Sequence, residues 1–126
     1  MERLRFIEHK GRRVLLVDFR NCTSDEVVQL TSQVRDVVSQ EPKDSVLALG
    51  DFTGAQFSRD AVTRLKEVTA MDRPFVKRAA WVGTESLPKV FYDAIRTFSL
   101  REFPVFATRE EALEFLTQPD SSRESA

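Results

Sequence analysis

Ser45-Val46-Leu47-Ala48-Leu49-Gly50-Asp51-Phe52-Thr53-Gly54 is a short apolar run that stops in a cluster of turn residues. A run of this length followed at once by glycine, aspartate and threonine reads as a strand delivering a loop. The segments on either side are helical. Upstream, Thr23-x-x-Glu26 is a capping-box pattern, and Val27, Leu30, Val34, Val37 and Val38 recur on one helical face behind it. Downstream, Ser58 stands at an N-cap position before Ala61, Val62, Leu65, Val68 and Met71, and the pattern ends near Pro74. A strand between two helices belongs to a parallel sheet built by crossovers.

The same alternation continues outward. Leu4, Phe6 and Ile7 and then Val14 to Phe19 form two strand-like stretches, and the short gap at His9-Lys10-Gly11 predicts a β-hairpin. Val76 to Val82 reads as a buried strand closing at Gly83. Ser86 is expected to cap a third helix, with Pro88 in its first turn and Leu87, Val90, Phe91, Ala94, Ile95 and Phe98 forming a stripe that packs on the sheet. Phe103, Val105 and Phe106 predict a last strand, placed at an edge because Pro104 lacks a donor N–H. Thr108-x-x-Glu111 repeats the capping-box pattern before Ala112, Leu113 and Leu116. The order is ββαβαβαβα. It specifies an α/β fold with a mixed, mostly parallel five-stranded sheet, an N-terminal hairpin and four helices. Residues 1–117 form one domain, and the polar stretch 118–126 (QPDSSRESA) is expected to be disordered.

Composition narrows the function. With 126 residues, 41% hydrophobic and 31% charged, the chain is an ordinary globular domain with one core. Nineteen Lys+Arg against 20 Asp+Glu leave no field to steer it to nucleic acid, and the Arg12-Arg13 pair beside a turn does not make a basic patch. The lone Cys22 forms no internal disulfide and builds no cysteine-based zinc site, so a reducing cytoplasm fits best. No signal-peptide h-region and no bilayer-length apolar run are present, so neither secretion nor membrane insertion is implied.

The order of elements resembles that of STAS domains, the family of bacterial anti-sigma factor antagonists and sulfate-transporter tails. The stretches VLLVDFR (14–20), SVLALGDFTG (45–54), KRAAWVGTES (77–86) and REFPVFATREEALEFL (101–116) look most like the SpoIIAA-like branch, also described as STAS/SEC14-like. In phosphorylated antagonists the resemblance implies a regulatory serine at the start of the second helix, within an Asp-Ser-Ser-Gly-like motif. Here that region reads Gly54-Ala55-Gln56-Phe57-Ser58-Arg59-Asp60, so only Ser58 stands near the acceptor position for phosphorylation, its flanking residues differ from the motif, and its reading as an N-cap is favoured.

In a parallel sheet, partners and ligands meet the loops at the carboxyl ends of the strands. Those loops carry Asp18, Arg20 and Asn21, then Asp51, Phe52, Thr53 and Gly54, then Gly83, Thr84 and Glu85. Asp18 and Asp51 on one edge, with Thr84 nearby, allow a receiver-like phosphorylation site, but the acidic pair after the first strand and the Lys-Pro of receivers are absent. His9, the only histidine, sits in the hairpin, and no serine has a nucleophile elbow. Cys22 reads as a small buried residue or a thiolate near a helix N-terminus. No phosphate-binding glycine loop, metal site or cofactor is expected. Phe52 and Phe57 bracket a turn and suggest an apolar patch or pocket beside the second helix. The expectation is therefore a non-enzymatic, STAS-like regulatory module of a bacterial cytoplasm. It would bind a protein partner or a second copy through Asp51, Phe52, Thr53, Gly54, Phe57, Ser58, Arg59 and Thr84. The alternative is a carrier or sensor of an apolar, lipid-like small molecule.

Overall fold

The computed structural model describes residues 2–119, so all but the first two residues of the expected tail lie outside the described residues. The elements are β1 (Leu4–His9), β2 (Arg12–Asp18), α1 (Ser24–Val38), β3 (Val46–Asp51), α2 (Arg59–Asp72), β4 (Val76–Val82), a 3-10 turn (Thr84–Ser86), α3 (Lys89–Ser99), β5 (Val105–Phe106) and α4 (Arg109–Leu116). β1 and β2 are antiparallel, with His9 opposite Arg12. Lys10 and Gly11, at φ 52° and 79°, make the left-handed two-residue turn whose twist suits a hairpin. β2, β3, β4 and β5 pair in parallel, giving the spatial order β1-β2-β3-β4-β5.

Side-chain alternation divides the core in two. Leu15, Val17, Ala79 and Trp81 face α1, α2 and α3. Val14, Leu16, Leu47, Leu49, Ala80 and Val82 face the opposite way, where Ala112 and Leu116 of α4 cover them. β2 is buried on both faces, which is why it reads as an unbroken apolar run.

Local chemistry starts the helices. At α1, Thr23 Oγ1 accepts from the Glu26 N–H at 3.2 Å while Glu26 Oε1 accepts from the Thr23 N–H at 2.8 Å. Such a cap contributes about 1 kcal/mol. Ser58 Oγ accepts from Ala61 N at 3.1 Å to begin α2, and Thr108 Oγ1 accepts from Glu111 N at 3.1 Å to begin α4.

Two expectations for α3 need correction. Ser86 does not cap it: its hydroxyl donates to the Ala55 carbonyl at 2.7 Å, and Pro88 occupies the N-cap position without a side-chain bond. Nor does the whole apolar stripe pack inward. Leu87 and Ile95 are buried, but Val90 is 68% and Phe98 53% exposed, because α3 rests on α2 and the sheet through one flank only. The helix ends at Leu100, a leucine at φ 59° whose side chain is 70% exposed. β5 lies at the edge, as Pro104 predicts; the Pro104 carbonyl accepts from Trp81 N at 2.9 Å.

Candidate functional site

The loops after β2, β3 and β4 meet at the carboxyl edge of the sheet and are stitched together by their backbones. Asn21 N donates to Thr53 O at 2.9 Å, Gln56 N to Cys22 O at 2.9 Å and Phe52 N to Val82 O at 2.9 Å. Gly83 turns at φ 69°, and a Cβ there would collide with the backbone N of Thr53, so the β4 loop closes on the β3 loop only with glycine.

Asp18 and Asp51 end adjacent parallel strands in direct register, on the α4 side of the sheet. Both are buried, and both are held by arginines. Arg20 grips Asp18 with two hydrogen bonds of 2.9 Å, from Nε to Oδ1 and from Nη2 to Oδ2. Arg109, the first residue of α4, donates from Nε to Asp51 Oδ2 at 2.7 Å, and its Nη2 lies 3.7 Å from Asp18 Oδ1. Thr53 completes the set, donating to Asp51 Oδ1 from its N–H at 3.1 Å and its hydroxyl at 2.7 Å. Burial pushes the Asp18 carboxyl up, but the Arg20 hydrogen bonds and the charges of Arg20 and Arg109 outweigh it and hold the group below the usual carboxylate range. The pair is thus an internal ion-pair lattice that ties α4 to the sheet. Asp51 has no carboxylate oxygen left for a phosphoryl-accepting role, and Thr84 lies elsewhere, in a groove with Leu87, Lys89, Tyr92 and Val105.

Arg109 is the member that sequence reasoning missed, although a signal was present. A cation at the first position of a helix opposes the macrodipole, and the Glu110 and Glu111 that follow show the normal preference. An arginine kept there has a partner elsewhere.

The aromatics of the β3–α2 loop are not surface features. Phe52 is 1% exposed and Phe57 is half-buried, which corrects their reading as an exposed patch. Phe52 stacks on Phe19 with centroids 4.6 Å apart and meets Trp81 edge-on at 4.8 Å; Trp81 in turn stacks on Phe103 at 4.4 Å. Gly50 permits this, since a Cβ there would sit 3.1 Å from Trp81 Cδ1 and 3.2 Å from Phe52 Cε2. Of the other anticipated residues, Thr53, Gly54 and Arg59 are exposed, and Ser58 and Thr84 are half-buried. Cys22 is fully buried and burial pushes its thiol up, so the thiolate reading fails. His9 Nε2 lies 3.1 Å from Glu114 Oε2, on the surface of α4.

Beneath the aromatics, a cavity of about 60 Å³ separates the sheet from α1 and α2. Its walls include Val34, Leu65, Ala79 and Trp81, and two charged side chains, Asp72 and Arg101, reach it. Burial raises the Asp72 carboxyl to about 6 despite the nearby positive charges of Arg101 and Arg35. Burial likewise lowers Arg101 to about 10.

No protein-family model matches the chain, and no curated protein matches it. Among solved structures, the crystal structure of an uncharacterised protein of the DUF3478 family with a SpoIIAA-like fold, from Shewanella loihica PV-4, is similar. The two share 20% identity over 90% of this chain and 91% of that one, with a TM-score of 0.64. Among the described residues no helix is long and apolar enough to cross a membrane. Sheet order, the leading hairpin and this likeness agree that the chain has the SpoIIAA-like fold.

Proposed function

We propose that the protein works by binding a protein partner rather than by catalysis, and that the docking element is the open flank of α3. One observation carries this reading: Val90, Ala94 and Phe98, spaced four residues apart and therefore on one ridge, stay uncovered or half-covered in a domain whose other large side chains are mostly buried. The ridge has a basic border. Lys66 Nζ of α2 lies 5.2 Å from the Phe98 ring centroid. Arg59 and Arg73 stand seven residues before and after Lys66, on the same flank of α2. None of the three has a carboxylate partner among the described residues. An apolar ridge edged with unpaired cations suits an amphipathic helix whose apolar face is bordered by Asp or Glu. The loop of Asp51 to Arg59 is less suited, since its aromatics are committed to the core and its aspartate to Arg109.

The test begins with capture of a partner by the intact chain. The purified partner is then titrated calorimetrically against the wild-type protein and Phe98→Asp. The half-exposed Phe98 makes little core contact, so the variant keeps its melting temperature, while binding weakens by about ten-fold or more. Added salt weakens wild-type binding as the basic border is screened. Equal affinity for the two proteins overturns the assignment. Self-association abolished by Phe98→Asp gives the ridge to a second copy instead.

A further inference from the structure

We infer that the open edge of β1, together with the groove beside it, receives an extended basic segment of a partner protein, which adds a sixth strand to the sheet. β1 is the end strand of the five. Asp18 N donates to Arg3 O at 2.7 Å, so the residues of β1 that exchange backbone bonds with β2 are Arg5, Ile7 and His9. The N–H and C=O groups of Leu4, Phe6 and Glu8 point the other way and have no partner among the described residues. Six residues long and without proline or bulge, this edge is a template for a further strand.

A groove of about 650 Å³ runs between the edge and α1. Leu4, Leu30 and Val37 supply its apolar floor, and Glu2, Glu26 and Asp36 its charged rim. Arg3, the cation of the lining, is engaged elsewhere, with Nη1 donating to the carbonyls of Asp18 at 3.0 Å and Arg20 at 2.9 Å. The groove is therefore acidic, in a chain whose charges otherwise nearly balance.

Geometry and charge define the occupant. Pairing with the backbone of Leu4, Phe6 and Glu8 requires an extended chain, and a strand placed there turns every second side chain toward α1. Glu26 and Asp36 lie about 15 Å apart along the helix, the length of about five strand residues. The inward row thus carries small apolar side chains at its centre, against Leu4, Leu30 and Val37, and Lys or Arg at its ends, against the carboxylates. A helix does not fit the edge, and an acidic segment is repelled by the rim. The edge lies across the sheet from α3, so the two surfaces are separate.

The probe is the peptide acetyl-Lys-Thr-Val-Thr-Val-Thr-Lys-amide, titrated into the intact isotope-labelled protein and followed through its amide resonances. Saturable shifts of the Leu4, Phe6 and Glu8 amides and of the α1 amides from Glu26 to Val37 are expected, and hydrogen exchange of those three edge amides slows. Asp36→Lys should bind at least about five-fold more weakly. It keeps the fold, because Asp36 is exposed and a cation suits the last turn of a helix. Glu8→Pro, which removes an edge donor without breaking a bond to β2, should weaken binding as well. A peptide with Glu in place of both Lys should not saturate. An equal response to the two peptides, wild-type affinity in both variants, or no saturable shift with the Lys peptide in the millimolar range each overturn the proposal. Concentration-dependent shifts of the same amides without peptide give the edge to a second copy and overturn it too.

Discussion

Replacing Asp72 by asparagine keeps the shape of the side chain and removes its charge, so the pH dependence of the change in stability reads out the burial of that one carboxyl. In the folded protein the group titrates near 6, against 3.8 in an unperturbed carboxyl. Each unit of difference is worth ~1.4 kcal/mol, so the ionised group costs the fold about 3 kcal/mol once both states are deprotonated. The sign follows from which state holds the proton more tightly. Here it is the folded one, so the stabilisation is complete below the unfolded value and is lost as pH rises through about 6. The linkage relation gives a penalty of about 1 kcal/mol at pH 4.5 and about 3 kcal/mol at pH 7.5. The gain in stability of Asp72→Asn over wild type should thus widen by about 2 kcal/mol between those two conditions. The attraction of Arg101 for the ionised carboxylate is already contained in the value for Asp72. Arg101 itself titrates near 10, so it stays charged across this range and leaves the slope intact. Urea unfolding of both proteins at half-unit pH intervals measures the difference directly. A constant difference from pH 4.5 to pH 7.5 would refute the raised carboxyl and the buried environment inferred for it.

Arg109→Met should destabilise the protein by about 2 kcal/mol at pH 7, below the value for a fully buried pair because Arg109 is partly exposed, by leaving Asp18 and Asp51 with less positive charge. The loss should shrink only as pH falls below 3.8, the ordinary carboxyl value beneath which Asp18 protonates in the folded protein, and a pH-independent loss in urea unfolding would show that only packing of the arginine stem matters. Leu100→Gly should stabilise by about 0.5–1 kcal/mol, because the left-handed cap strains leucine and not glycine. Since the Leu100 side chain is largely exposed, a lower melting temperature in calorimetry would mean that it makes contacts the structure does not have.

The elements that the sequence made legible are those specified within a few residues. Thr23, Ser58 and Thr108 cap their helices through bonds spanning three residues, and Lys10-Gly11 turns its hairpin locally. Pro104 announced an edge strand because a missing donor has the same meaning in any context. Readings that depended on distant partners fared differently. Ser86 has the chemistry of a cap but spends its hydroxyl on Ala55, 31 residues away. Phe52 follows a strand in a turn-rich segment, where local pattern says surface, yet its ring is received by Phe19 and Trp81 from two other strand ends. The carboxylates Asp18 and Asp51 were placed on one edge correctly by topology. Their arginine, 58 residues beyond Asp51, belongs to an element whose position over that edge is set by packing of Ala112 and Leu116. The stripe of α3 was visible as periodicity, but how much of it a neighbour covers is a property of the assembled domain.

The uneven clothing of the sheet bears on how the polypeptide is made. Each crossover between β2 and β5 lays its helix on the same side, so that side is covered progressively during synthesis. The other side carries Val14, Leu16, Leu47 and Leu49 and waits for residues 109–116. A nascent chain at that stage presents a finished sheet with one bare apolar face, the kind of surface that invites chaperones or neighbouring chains. The eight residues of α4 convert that intermediate into a closed domain, and Arg109, reaching back to strand ends made long before it, is the latch.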